Sequence, residues 1–212
     1  MYRSAATAAG VATAGIATAV IWYVQYMRKR HRRASRMPPP WFQDLIGGGE
    51  FDALRIPEWD NSTAWRRSNG WVGTDYAHSA DGAVYIAGYG LGKTTEGQPK
   101  LVGAVHFGTG AESHRGLCHG GTMCTIMDDV IGWTGFCVGG TCKPWSGFTV
   151  QINTKLQAPI EVGSWLRVEG EIIGVERRKV SVRASLTSPA TTTGGEPVVH
   201  CTAEGLFVMK KE

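Results

Sequence analysis

The chain has 212 residues, of which 42% are hydrophobic and 19% are charged. This balance excludes a disordered chain and a polytopic membrane protein, and the length suits one domain with an appendage. The 29 glycines and eight tryptophans are both high numbers for this length. A composition rich in glycine and tryptophan indicates sheets and turns rather than a helical bundle.

The net charge of +4 is unevenly distributed along the chain. Residues 1–43 contain no acidic residue and seven basic ones, whereas residues 44–212 contain 15 basic and 18 acidic residues, a net charge of −3. The part expected to fold is therefore mildly acidic, which argues against nucleic acid as a partner.

Motifs for metal or nucleotide chemistry are weak. The five cysteines contain no Cys-X-X-Cys pair, and no cluster of histidine, cysteine and carboxylate residues has the spacing of metal ligands. We therefore expect reduced thiols, no metal and no cofactor. Residues 87–94 come one glycine short of a phosphate-binding loop and precede a turn rather than a helix, so we expect a hairpin connection there.

Residues 5–27 form a run of 23 residues without a charge, followed directly by a basic cluster over 28–33. As a helix this run would extend about 34 Å, enough to cross a bilayer core of about 30 Å. A retained membrane helix, a cleaved mitochondrial presequence and a secretory signal peptide stay open; we favour the first, because the basic cluster follows the run. The cluster would place the rest of the chain on the cytoplasmic or matrix side.

Small residues recur every four positions within this run, at Ala6, Gly10, Ala14 and Thr18. On a helix they would form one stripe, a surface that lets another membrane helix approach closely. We expect a packing partner in the membrane, although an alanine-rich helix can show such a stripe by chance.

Three domains are expected: a membrane anchor with a basic flank over 1–37, a linker or cap over 38–80, and the main domain over 81–212. The middle segment begins with three prolines, contains four tryptophans and shows no clear period. It could cap the domain, cover a substrate tunnel or bind a neighbouring protein.

Alternating apolar and polar residues from position 149 onward predict an antiparallel sheet with one packed face. In the run 149–156, the alternation places Thr149 and Asn153 on the face opposite Ile152. The predicted strands cover residues 83–89, 101–107, 149–156, 166–172, 180–187 and 199–207, with a hairpin loop over 188–197.

One segment of the main domain has helical spacing of its apolar residues, and it predicts a helix from about Gly120 to Gly135. The apolar positions are Met123, Ile126, Met127, Val130 and Ile131. Two predicted strands precede this helix and four follow it. The order suggests an α+β fold in which a sheet wraps around a single helix.

The triplet His119-Gly120-Gly121 opens this helix, and Asp128 and Asp129 lie within it. Glycines at a helix N-terminus leave backbone N–H groups approachable, which suits an anion or a developing oxyanion. A carboxylate among apolar helical positions is costly to bury unless it has partners. From these residues alone, one aspartate could face solvent while the other is paired.

Residues 119–129, with His-Gly-Gly at the start and Asp-Asp at the end, resemble the signature of the hotdog-fold acyl-CoA thioesterases. Residues 149–160 resemble the next strand and the Pro-containing turn of that family. The resemblance covers about residues 83–209 and is closest to the membrane- and mitochondrion-associated branch. It implies a hotdog fold, an antiparallel sheet wrapped around one central helix, here preceded by an N-terminal transmembrane helix.

The resemblance also implies roles for single residues. The backbone N–H of Gly120, helped by Gly121, would polarise the thioester carbonyl. Asp128 would act as general base on water or as nucleophile, and Thr149 would help to hold the water or the carboxylate. His119 would order the turn rather than transfer protons.

Substrate contacts are less clearly indicated. The weaker candidates are Met123, Met127, Trp133, Asn153 and Arg178. Arg178 belongs to a basic turn over 177–179, which could meet the phosphates of CoA or simply be solvated. Asp129 is expected not to be catalytic.

Gly120 and Asp128 are eight residues apart, about 12 Å along a helix axis. One carbonyl group cannot contact both, so the site should combine Gly120 of one chain with Asp128 of another, as the dimers of the family do. We therefore expect a homo-oligomer, at least a two-fold dimer, or pairing with a second hotdog subunit.

Two functions follow as expectations. The first is a membrane-anchored thioesterase that hydrolyses fatty acyl-CoA to free acid and CoA. The second is an accessory subunit of a large complex of the mitochondrial inner membrane, built on a thioesterase-like domain with or without residual activity. The domain would face the matrix or, alternatively, the cytoplasm at another membrane. A hotdog dehydratase fits less well, since the expected His/Asp pair is missing.

Overall fold

The structure is a computed structural model that describes residues 37–55, 66–72, 77, 83–189 and 196–211. The predicted anchor over 5–27 lies outside these residues and stays a prediction. Within the described residues, no helix is both long enough and apolar enough to cross a membrane. The chain divides into two compact units, Met1–Met37 and Pro38–Glu212, and every element below belongs to the second.

Seven strands of this unit form one antiparallel sheet in the order β1-β2-β3-β7-β8-β9-β6, and β4 pairs with β5 separately. The predicted strands and the predicted helix are confirmed, with small changes of bounds. In chain order the α-helices and strands are α1 (Pro40–Gly47), β1 (Asp52–Ala53), β2 (Val84–Lys93), β3 (Pro99–Phe107), β4 (Glu112–His114), β5 (Leu117–Cys118), α2 (Gly120–Phe136), β6 (Gly147–Leu156), β7 (Trp165–Glu176), β8 (Lys179–Thr187) and β9 (Val199–Met209).

Helix α2 lies on one face of the sheet, against β3, β6, β7, β8 and β9. The alternation in the sequence explains this layer: along β8, Val180, Val182, Ala184 and Leu186 are buried, and the residues between them are not. The apolar stripe of α2 packs onto these side chains. One long helix on an antiparallel sheet is the arrangement that the resemblance to the hotdog fold predicts.

Helix α1 was not anticipated from the sequence, and it packs onto the glycine-rich half of β2. A Cβ atom on Gly90 would lie 2.8 Å from the Cβ atom of Phe51, and Gly90 also faces the tip of Ile46. The segment that resembles a phosphate-binding loop is therefore strand, and its turn follows at 94–98. The described part of 38–80 thus covers this end of the sheet.

A bulge in β6 corrects the expected direction of Thr149. The register steps over one residue between Thr149 and Gln151. Thr149 is therefore opposite Phe207, which is buried beneath α2, and it shares the inner face with Ile152. Strict alternation would have turned Thr149 outward. Bulges commonly redirect a side chain in this way.

Candidate active site

The N-terminus of α2 is closed by a histidine cap. His119 has an extended backbone (φ −67°, ψ 133°), and its Nδ1 accepts a hydrogen bond from the N–H of Gly121 at 2.8 Å. A Cβ atom on Gly121 would lie 2.8 Å from this nitrogen, so a side chain there would displace the cap. His119 therefore orders the turn. The amide of Gly121 is already used by the cap, which corrects its expected role as a second donor to the substrate.

The amide of Gly120 remains available. Gly120 is the first residue of α2, where N–H groups have no partner within the helix. Among the described residues, no acceptor contacts this N–H. The positive end of the helix dipole reinforces its attraction for a negatively charged oxygen. The side chain of Leu156 in β6 packs against Gly120: a Cβ atom on Gly120 would be 2.7 Å from Cδ1 of Leu156.

Asp128 lies on the solvent side of α2. Its side chain is exposed, whereas the preceding Met127 is fully buried. Gly121, Thr125 and Asp128 follow one another at helical spacing and form one stripe along the helix. The carboxylate and the Gly120 amide belong to the same helix but are separated by about 12 Å along its axis and by about 80° around it.

Asp129 is held by a buried tyrosine. The hydroxyl of Tyr89 in β2 donates a hydrogen bond to Oδ2 of Asp129 at 2.9 Å, and Tyr89 is only 1% exposed. The two alternatives left by the sequence are thereby resolved, since Asp129 is the paired aspartate and Asp128 the solvent-facing one. The hydrogen bond links α2 to β2, which is not among the strands that α2 mainly packs against (β3, β6, β7, β8 and β9).

Thr149 of β6 lies beside α2, next to Gly132, which is one helical turn after Asp128. A Cβ atom on Gly132 would be 3.5 Å from the Thr149 hydroxyl oxygen, an ordinary contact distance. Gly132 follows Asp128 at the i+4 position and therefore belongs to the same side of the helix. The bulge in β6 is thus what brings a hydroxyl group next to the stripe that carries Asp128.

The weaker substrate candidates do not lie beside the stripe of Gly121, Thr125 and Asp128. Met123 and Met127 are buried in the core between α2 and the sheet. Asn153 lies opposite Glu204 and is exposed, on the sheet face away from α2. Arg178 is exposed in the turn between β7 and β8, where its guanidinium donates to the carbonyl of Met209 at 3.0 Å. Their expected substrate roles stay predictions.

The site therefore offers three groups on or beside α2: the Gly120 amide, the Asp128 carboxylate and the Thr149 hydroxyl. These can bind a carbonyl oxygen, accept a proton and orient a water molecule, respectively. Within the described residues, no group of three or more histidine, cysteine, aspartate or glutamate side chains could hold a metal ion.

Residues 115–194 match the family model of the thioesterase superfamily. The resemblance to thioesterases is thereby confirmed. The matched segment contains the histidine cap, Gly120, Asp128 and Thr149. The finer expectation, a membrane- and mitochondrion-associated branch, stays a prediction. No curated protein sequence matches the chain.

Solved structures of thioesterases are similar to the chain at low identity. Zebra fish thioesterase superfamily member 2 is 14% identical with a TM-score of 0.49, over 74% of this chain and 100% of that one. A hypothetical thioesterase from Streptococcus pneumoniae, solved with coenzyme A, is 18% identical with a TM-score of 0.44, over 53% and 82%. An acyl-CoA hydrolase variant from Staphylococcus aureus is 13% identical with a TM-score of 0.47, over 53% and 67%.

Two residues of the site were not found from the sequence. Tyr89 lies between two glycines in a strand without alternation, so nothing marked it as the partner of Asp129. A Cβ atom on Gly103 would be 2.6 Å from the Tyr89 ring, which shows that the ring needs a glycine in the next strand. Leu156 was predicted as a strand residue, but its position over Gly120 depends on how β6 runs along α2.

We expect Tyr89→Phe to lower the free energy of unfolding by about 1–3 kcal/mol, because the half-buried Asp129 carboxylate loses a hydrogen bond. Asp129→Asn should cost less, since it keeps an acceptor oxygen. Urea denaturation of both single variants and the double variant measures the coupling between them. Strictly additive effects would show that the contact does not contribute to stability.

Proposed function

We propose that the protein is an acyl-CoA thioesterase that hydrolyses a fatty acyl-CoA to the free acid and CoA. The observation that carries this proposal is an available helix-terminal amide and an exposed aspartate on one helix, within the segment that matches the thioesterase superfamily. Thioester hydrolysis needs a donor for the developing oxyanion and a group that activates water. Gly120 and Asp128 supply these two functions.

In the proposed reaction the thioester oxygen accepts a hydrogen bond from the N–H of Gly120. Asp128 takes a proton from water, and the water oxygen attacks the carbonyl carbon. The tetrahedral intermediate then collapses, the carbon–sulfur bond breaks, and the CoA thiolate leaves and takes up a proton. In the alternative route Asp128 attacks the carbonyl carbon directly, the carbon–sulfur bond breaks as the CoA thiolate leaves and takes up a proton, and water hydrolyses the resulting anhydride. Thr149 holds the water or the carboxylate in place.

The active unit in this proposal is a dimer with two composite sites. The separation of about 12 Å between Gly120 and Asp128 prevents one carbonyl from using both groups of the same chain. Strand β6, at the edge of the sheet and beside α2, exposes 62% of Phe148, 58% of Val150 and 54% of Leu156. An apolar edge of this kind needs a covering partner. A second copy paired along β6 would bring the two halves of each site together.

We expect Asp128→Asn to lower kcat about 100-fold or more, because the amide cannot accept the proton from water. The matched control is Asp129→Asn, which alters the neighbouring carboxylate that Tyr89 holds, and its kcat should stay within a few-fold of the wild type. Hydrolysis of a series of short- to long-chain acyl-CoA substrates gives the rates, and circular dichroism confirms folding. Unchanged turnover in Asp128→Asn would remove this residue from the mechanism.

The composite site is tested by mixing two inactive variants. Asp128→Asn removes the carboxylate, and Gly120→Pro removes the amide while suiting the first position of a helix. After unfolding and joint refolding of equal amounts, each mixed dimer holds one intact site, and turnover should recover to about a quarter of the wild-type value. A mixture that remains inactive, although size-exclusion chromatography shows dimers, would place both groups of a site in one chain.

We further propose that residues 5–27 anchor the protein in a membrane, the mitochondrial inner membrane with the domain on the matrix side or, alternatively, another membrane with the domain in the cytoplasm. The uncharged run and the basic cluster after it support this proposal. The stripe of small residues in the run supports a packing partner in that membrane. It also favours the second candidate function, that of an accessory subunit in a membrane complex.

The full chain should stay with the membrane fraction after alkaline carbonate extraction. Ile16→Arg combined with Val20→Arg should release it, because each arginine near the centre of a spanning helix costs about 2.5–3.5 kcal/mol. Arg32→Gln combined with Arg33→Gln is the control, since it changes charges outside the run and should leave the protein in the pellet. Release of the unmodified chain would show that this segment is not an anchor.

A further inference from the structure

The loop that joins α2 to β6 brings two cysteines face to face. Cys137 is the C-cap residue of α2, and Cys142 follows five residues later. The N–H of Lys143 donates to the carbonyl of Phe136 at 2.9 Å, and the N–H of Gly140 donates to the carbonyl of Cys137 at 2.8 Å. The first bond closes the loop just outside the two cysteines and the second lies between them, so Cys137 and Cys142 are held next to each other across the loop.

The two thiols differ in their access to solvent. Cys137 is 0% exposed and belongs to the core, whereas Cys142 is half-buried at its edge. The hydrogen bond with Cys142 and, after it, burial raise the pKa of the Cys137 thiol well above its usual value. Cys137 therefore keeps its proton as long as the Cys142 thiol is unmodified, and a reagent from solvent meets Cys142 first.

The loop has room to bring the two sulfur atoms into bonding distance. Gly139 and Gly140 lie between the cysteines, and a Cβ atom on either one would meet nothing within 4 Å. Gly140 has a φ of +79°, a conformation that other residues rarely adopt. Both glycines border an open cleft of about 620 Å³ toward β2 and β3. The backbone at Gly139 and Gly140 can therefore shift without displacing packed side chains.

We propose that Cys137 and Cys142 are a site of reversible oxidation that forms an intramolecular disulfide with a small disulfide such as glutathione disulfide. The Cys142 thiolate attacks one sulfur of glutathione disulfide, which forms a mixed disulfide and releases one glutathione thiolate. Cys137 then gives up its proton and attacks the Cys142 sulfur, which releases the second glutathione. The two cysteines are oxidised, glutathione disulfide is reduced to two glutathione molecules, and the two protons from the cysteines pass to the glutathione thiolates.

The bond would join the end of α2 to the segment that leads into β6. These are the two elements that carry Asp128 and Thr149, so the modification is placed to brace the candidate active site. The remaining cysteines are arranged differently. Cys124 on α2 is close enough to Cys201 on β9 to contribute, after burial, to raising the pKa of Cys201 to about 11. A disulfide between Cys124 and Cys201 would require the helix to move against the sheet. These two cysteines are the alternative pair against which the experiment must discriminate.

The experiment equilibrates the folded full chain with either excess glutathione disulfide or a dithiol reductant, followed by acid quenching, denaturation and alkylation. The reduced sample should carry five alkyl groups, since none of the five cysteines is in a disulfide. The oxidised sample should carry three. After chymotryptic cleavage behind Phe136 and Trp145, the peptide 137–145 should be unalkylated and about 2 Da lighter, as expected for one disulfide.

Two variants separate this pair from its competitor. Cys142→Ser should abolish the protection of two cysteines, whereas Cys124→Ser, the matched control, should retain the light 137–145 peptide. Circular dichroism confirms that both variants are folded. Five alkylated cysteines after oxidation, a bond between Cys124 and Cys201, or a glutathione adduct that persists on Cys142 would each overturn the proposal.

Discussion

The close packing of α2 against the sheet is the constraint on which the rest of the structure depends. At the contact points there is no room for side chains: a Cβ atom on Gly205 would lie 2.8 Å from Ile131, and one on Gly135 would collide with the ring of Phe207. Glycines in both layers let the helix approach this closely. Interiors packed at this density resist rotation of one element against another, so the orientation of α2 about its axis is fixed.

The chemistry of the site follows from that orientation. With Met127 and Ile131 in the core, Asp128 must face solvent, and the neighbouring position must point toward β2, where Tyr89 receives it. The N-terminus of the same helix presents the Gly120 amide under a histidine cap. Because both groups belong to one rigid helix, their separation cannot adjust to a substrate, which is why the proposed site takes its second half from another chain.

The two faces of the sheet serve different purposes. The face away from α2 carries ion pairs such as Lys100 with Glu169 at 2.9 Å and Arg183 with Glu171 at 3.4 Å, which are partly solvated and contribute little to stability. The inner face holds the core, and the exposed apolar residues of β6 lie along the open edge of the sheet, with Leu156 on the inner face and Phe148, opposite Val208, on the outer one. The candidate active site and the loop of Cys137 and Cys142 border the helical side of the molecule, and the proposed dimer contact follows the β6 edge.

The sequence by itself determined the six long strands and the central helix, and it marked His119, Gly120 and Asp128 as candidates, because alternation, helical spacing and a short motif are local patterns. The tertiary structure decided which aspartate is paired, which glycine amide is consumed by the cap, and that Thr149 faces the helix. Each of these depends on a partner distant in the chain or on a bulge, whose one extra residue reverses the direction of the side chains before it. Packing across elements, and not any local pattern, sets those directions.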